Sequence, residues 1–178
     1  MKLNNTLIEG VFVIENFNAD DNRGSFIKTV NEDEFIKNGL SCDFREQYYS
    51  ISNKDVVRGM HFQLPPCNHA KLVHVIKGKV LDVILDIRKE SKTYGKAISI
   101  ELNSEERKSV YIPSGCAHGF KSLEDDTVML YNVTTVYNKD ADCGILWDSL
   151  DFDWDVENPI ISARDLSFER LEDFNSPF

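Results

Sequence analysis

The chain has 178 residues, with 20 Lys and Arg against 30 Asp and Glu, and carries a formal charge of −10. Its field repels phosphate backbones and anionic bilayers, so no nucleic acid and no membrane is expected as a partner, although a few clustered arginines would still hold a small anion. A hydrophobic fraction of 42% over this length, with no long apolar run and no signal core after Met1, predicts one cytoplasmic domain over 1–178 whose four scattered cysteines stay reduced.

Taken in chain order, short segments rich in Val, Ile, Tyr, Phe and Thr and bounded by Gly, Pro, Asn or Asp predict strands at 7–14 and 26–30. A helix follows at 32–38, capped by Asn31 with Glu34 three residues on and stopped by Gly39. Further strands are expected at 46–52, 56–63, 71–76, 80–88, 97–102, 109–112, 118–122 and 127–137, with a tight hairpin at Gly78 between Lys77 and Lys79. Ser162 and Asp165 have capping-box spacing before a second helix at 166–171. So many strands with so little helix predict an all-β sandwich or barrel, in which closure protects the strand edges.

Strand alternation refines this. Lys71 shares a face with Val73 and Val75, Asp82 with Val80 and Ile84, and Tyr131 with Met129 and Val133. Polar groups on otherwise apolar inner faces mark a pocket, because burying them without a task or partner is costly. On 57–63 alternation puts Val57, Gly59, His61 and Gln63 on one face and Arg58, Met60 and Phe62 on the other. A single strand histidine says little by itself, and the run from Tyr111 to Phe120 reads equally well as a plain strand–turn–strand.

Together these stretches resemble the dTDP-4-dehydrorhamnose 3,5-epimerases. The resemblance rests on Arg23-Gly24-x-Phe26, Arg58-Gly59-Met60-His61-Phe62-Gln63, Lys71-Leu72-Val73, Asp82-Val83-x-x-Asp86-Ile87-Arg88, Ile112-Pro113-x-Gly115-x-Ala117-His118-Gly119-Phe120, Leu130-Tyr131 and Ser162-Ala163-Arg164-Asp165, in that order over residues 7 to 170. It implies a cupin-type jelly roll that binds a nucleotide-linked 4-keto sugar and inverts C3, C5 or both, within bacterial surface-polysaccharide synthesis. It further implies a homodimer with no cofactor, in which Arg23 or its neighbours serve the partner's site.

The 4-keto group acidifies the hydrogens on C3 and C5, so a base active near neutrality is needed, and histidine suits that. The match makes His61 the base and Asp165 its carboxylate partner, although spacing alone would leave Asp165 a helix cap. It makes Lys71 the cation that stabilises the enolate and Tyr131 the acid on the opposite face. Arg58 and Arg23 would grip phosphate or sugar. Phe26, Lys28, Gln47, Asp82 and His118 complete the expected binding set.

Some positions depart from the family pattern. Lys28 replaces its usual Glu, Glu46-Gln47-Tyr48-Tyr49-Ser50 its Gln-x-Asn-x-Ser, His69-Ala70 its Gln-Gly, and Asn132 its Lys. An intact proton-transfer set with altered contacts is what a changed sugar or nucleobase would produce, and relatives acting on GDP-linked 4-keto-heptoses are one alternative. A 3,4-ketoisomerase or a non-catalytic sugar-binding cupin would also fit the fold. A metal-dependent cupin would require a His-x-His pair, whereas Gln63 follows His61-Phe62, so no metal is expected.

Overall fold

Apolar side chains at every second position make strands that need two partners and one covered face, and this chain satisfies them with two facing antiparallel sheets. The computed structural model describes all 178 residues. Its elements are β1 (Lys2–Asn5), β2 (Phe12–Glu15), β3 (Phe17–Asp21), β4 (Gly24–Lys28), α1 (Glu32–Lys37), β5 (Glu46–Ser52), β6 (Val57–Gln63), β7 (Lys71–Lys77), β8 (Lys79–Asp86), β9 (Ala97–Asn103), β10 (Lys108–Ile112), β11 (Cys116–Ser122), β12 (Thr127–Val133) and β13 (Asp142–Gly144). One sheet runs β1-β2-β10-β7-β12-β5, the other β13-β6-β11-β8-β9, and β3-β4 form a separate hairpin. This is the expected jelly-roll sandwich.

The core between the sheets is built from Val73, Val75, Val110, Ile112 and Met129 on one side and Val80, Ile84, Leu102 and Phe120 on the other. Alternate residues of the second sheet, among them Val57, Met60, Phe62, Val83, Leu85 and Ala117, point outward and are covered by Ile145, Leu150 and Trp154 of the C-terminal segment. β8 is therefore apolar on both faces. The outer side of the first sheet is covered at one end by α1, whose fully buried Phe35 packs with Ile14, Leu72 and Tyr111. A six-residue helix is marginal by itself, so α1 persists through this docking and through Asn31, which accepts the Glu34 N–H at 3.1 Å.

Several expectations need correction. Gly78 does not close a hairpin: β7 pairs with β10 and β12, and β8 with β11 and β9, so the turn carries the chain from one sheet to the other. Its φ of +81° serves this corner, where an added Cβ would lie 2.4 Å from the Thr127 hydroxyl. The strand expected at 7–14 starts only at Phe12, after a turn through Gly10, and the strand at 127–137 ends at Val133. The polar β1 and β3 are held by ladder pairing rather than by an apolar pattern. The helix at 166–171 reduces to one 3-10 turn, Asp165–Ser167, after which the chain is extended and Phe168 packs against a histidine ring.

Candidate active site

The functional side chains depend on one irregularity in β6. Opposite β11, His118 pairs with His61 and Phe120 with Arg58, so two residues of β11 span three of β6. The extra residue at Gly59–Met60 is a β-bulge, and it turns Arg58 and His61 onto the same face while Val57, Met60 and Phe62 face outward. This overturns the simple alternation that separated Arg58 from His61. The bulge requires glycine: Gly59 has φ +135°, and a Cβ there would lie 2.5 Å from the Gly119 Cα.

The bulge also positions a carboxylate. The Gly59 N–H donates to Asp165 Oδ2 at 3.1 Å, and the Asp165 N–H donates to Ser162 Oγ at 3.1 Å. Ser162 thus caps the turn as its spacing suggested, while the Asp165 side chain turns toward β6. Its Oδ1 lies 2.9 Å from His61 Nε2, within ion-pair distance once the ring is protonated. Burial pushes the Asp165 carboxyl up, but His61, the Gly59 N–H and Ser162 outweigh it and hold the group below the ordinary carboxylate range. Burial likewise lowers His61, with Asp165 opposing in part. At neutral pH the pair is a neutral imidazole beside a carboxylate. The Phe168 ring meets His61 edge-on at 5.7 Å, in space left open by Gly144, where a Cβ would lie 2.3 Å from that ring.

Across the interior, β12 and β7 of the other sheet supply Tyr131 and Lys71. Lys71 Nζ donates to the main-chain oxygen of His61 at 3.0 Å, and burial lowers its ammonium to about 8 against the pull of Asp82 and Asp142. Burial also pushes the Tyr131 phenol up; its hydroxyl is 3.3 Å from Ser50 Oγ and its ring stacks on Tyr48. His118 Nε2 and Asp82 Oδ1 are 2.6 Å apart and both buried. Tyr48, Ser50, Arg58, His61, Lys71, His118, Phe120 and Tyr131 enclose a cavity of about 200 Å³.

His61 also opens onto a second cavity of about 420 Å³, bordered by Glu46, Tyr48, His69, Lys71, Tyr137, Asp142 and Arg164. Arg58 Nε donates to Ser52 Oγ at 3.1 Å and Arg164 donates to Asp142 at 2.6 Å, and the two arginines line the smaller and the larger cavity respectively. Burial pushes His69 down to about 3, which keeps it uncharged. No three His, Cys, Asp or Glu side chains converge in a metal-binding group.

Of the residues expected from sequence, His61, Asp165, Lys71, Tyr131, Arg58, Asp82 and His118 come together. Gln47 does not: it lies on the outer face, with its amide donating to Asn132 at 2.7 Å, while its neighbours Glu46, Tyr48 and Ser50 border the cavities. Alternation from Tyr131, which pairs with Tyr48, would have found them. Arg23, Phe26 and Lys28 sit on the exposed β3–β4 hairpin and border neither cavity; Arg23 is paired with Asp21 at 2.6 Å. Arg164, His69 and Tyr137 were missed because each borders the site from a loop, where no periodicity shows direction.

A family model described as dTDP-4-dehydrorhamnose 3,5-epimerase matches residues 5–173. A protein of that name from Shigella flexneri is 36% identical over 176 residues, covering 97% of each chain. A crystal structure of the Elizabethkingia anophelis protein of that name superposes with a TM-score of 0.93 at 34% identity, covering 99% of each chain. A Legionella pneumophila epimerase solved with dTDP-4-keto-L-rhamnose gives a TM-score of 0.92 at 30% identity, covering 98% of this chain and 94% of that one.

Proposed function

The chain belongs to the dTDP-4-dehydrorhamnose 3,5-epimerase family, and from that premise we propose that it inverts C3, C5 or both in a dTDP-linked 4-keto sugar. The observation that carries the reading is a histidine beside a carboxylate and a tyrosine facing one small cavity from opposite sides, His61 with Asp165 on one and Tyr131 on the other, which we read as base and acid. Neutral His61 takes the proton from the carbon beside the ketone. Asp165 stabilises the resulting imidazolium. Charge then gathers on the ketone oxygen, where the buried Lys71 ammonium stabilises an enolate far better than it would in water. Tyr131 returns a proton from the other face, and the centre is inverted.

His118 and Asp82 complete the polar wall beside Tyr131. Arg58 and Arg164 suit a pyrophosphate, since guanidinium pairs bidentately with phosphate oxygens. This resolves how a chain of charge −10 takes an anionic substrate. Arg23, Phe26 and Lys28 act in this reading from the hairpin of one copy upon the site of another, within a homodimer.

The names of the relatives favour a thymidine nucleotide over a guanosine one, and epimerisation over ketoisomerisation. The test is incubation with dTDP-4-keto-6-deoxyglucose in heavy water, followed by NMR. Deuterium is expected at C3, C5 or both, with inverted product; carbons that exchange no faster than without protein would overturn the reading.

A further inference from the structure

We propose that Tyr48 is the positioning residue for Tyr131, holding its phenol where the enolate carbon is reprotonated. The inference rests on Tyr131 being the acid. Tyr48 and Tyr131 are directly opposed in the β5–β12 ladder, and their rings stack with centroids 4.8 Å apart and planes 18° from parallel. Opposed aromatic pairs are a main source of side-chain order in antiparallel sheets.

The Tyr131 ring packs into the core between the sheets, but its hydroxyl is held loosely. Its hydroxyl has one partner, Ser50, at the long distance of 3.3 Å, and the His118 ring touches it only edge-on at 6.1 Å. Tyr48 is also its cover: Tyr48 is 40% exposed and Tyr131 only 7%.

The stack matters to one half of the reaction. Reprotonation breaks the Tyr131 O–H bond and forms a C–H bond with the enolate electrons, restoring the ketone and leaving a phenolate. Deprotonation belongs to His61 on the other sheet and does not involve the stack. When the phenol is misaligned, His61 returns a solvent-derived proton to the face it came from. The carbon then exchanges without inverting.

The experiment compares initial rates of deuterium uptake and of inversion at each carbon, for wild type, Tyr48→Phe and Tyr48→Ala, on dTDP-4-keto-6-deoxyglucose in heavy water. Tyr48→Phe keeps the stack and is expected to hold the ratio of inversion to uptake within about twofold of wild type. Tyr48→Ala is expected to retain uptake while the ratio falls about tenfold or more, because acid catalysis contributes on that scale. The ratio is unaffected by how much of a variant is folded, since both rates come from the same active molecules. A wild-type ratio in Tyr48→Ala, or an equal fall in Tyr48→Phe, overturns the inference. Absence of uptake in the wild type would instead overturn the epimerase reading on which it stands.

Discussion

His61 can act as a base only while uncharged, and burial keeps it so to lower pH than a free histidine. Replacing it with Asn is expected to lower deuterium uptake at both carbons by about 10²–10⁴-fold, the usual contribution of a general base. Asp165→Asn should cost less, because the imidazole remains and loses only its charged partner; uptake rates rank the two. Tyr131→Phe should separate the half-reactions, keeping uptake at the carbon that His61 reaches while inversion falls sharply. A parallel fall in both would make Tyr131 a binding or packing residue. Lys71 gives a pH signature with opposite signs. Its pKa falls from the ordinary 10.5 to about 8 in the folded chain. Between those values the unfolded chain binds a proton that the folded chain has lost, so Lys71 makes stability rise with pH through that window. Activity depends on the ammonium of the folded chain and should fall as pH rises through about 8. Chemical denaturation of wild type and Lys71→Met from pH 8 to 10 is expected to show a less positive slope in the variant, and an identical slope would refute the lowered pKa.

The bulge in β6 shows how one backbone position controls several side chains. Gly59→Ala forces a side chain onto φ +135° and against the Gly119 backbone, where no flexible group can move aside. Such a backbone conformation alone costs about 1–3 kcal/mol in a residue other than glycine, and the clash adds to it. The denaturation midpoint should therefore drop, and activity should fall further than stability explains, since Arg58 and His61 lose their common face and Asp165 its contact with the Gly59 N–H. Midpoints together with uptake rates in folded protein check this. The same bulge explains what could be read from the sequence. Alternation oriented Lys71, Asp82 and Tyr131 correctly because β7, β8 and β12 are regular around those residues. It misdirected Arg58 because one inserted residue reverses every later side chain. At Gln47 the rule itself is adequate, for alternation turns it away from the face that Tyr131 shares with Tyr48. The helix at 166–171 failed because its capping signal is real but local: Ser162 caps a single turn, and Phe168 is then drawn to His61. His61, Asp165 and Tyr131 lie far apart in sequence and were brought together by motif, since no periodicity reports contacts between sheets.

Assembly is where the single chain leaves its surface least satisfied. Tyr49 and Ile51, at 66% and 57% exposed, point outward from edge strand β5, and Phe17 and Phe26 stand exposed on the β3–β4 hairpin. Apolar side chains exposed together along one edge strand fit an interface between copies. A charge of −10 per copy opposes association, so burial of apolar surface has to supply the attraction, and the repulsion weakens as salt screens it. Sedimentation should give a dimer at micromolar concentration, and Ile51→Asp should shift it toward monomer. A sharper prediction concerns the hairpin, because Arg23 borders no cavity of its own chain. If Arg23 serves the partner's site, Arg23→Ala and His61→Asn are each inactive, yet a mixed dimer contains one site with both defects and one with neither. Co-refolding the two variants in equal amounts should restore activity to about a quarter of the sites, since half of randomly formed two-fold dimers are mixed and each carries one intact site of two. If Arg23 instead worked within its own chain, every site in the mixture would lack one residue or the other. Activity of the mixture above that of either variant alone therefore decides whether the site is shared between two copies.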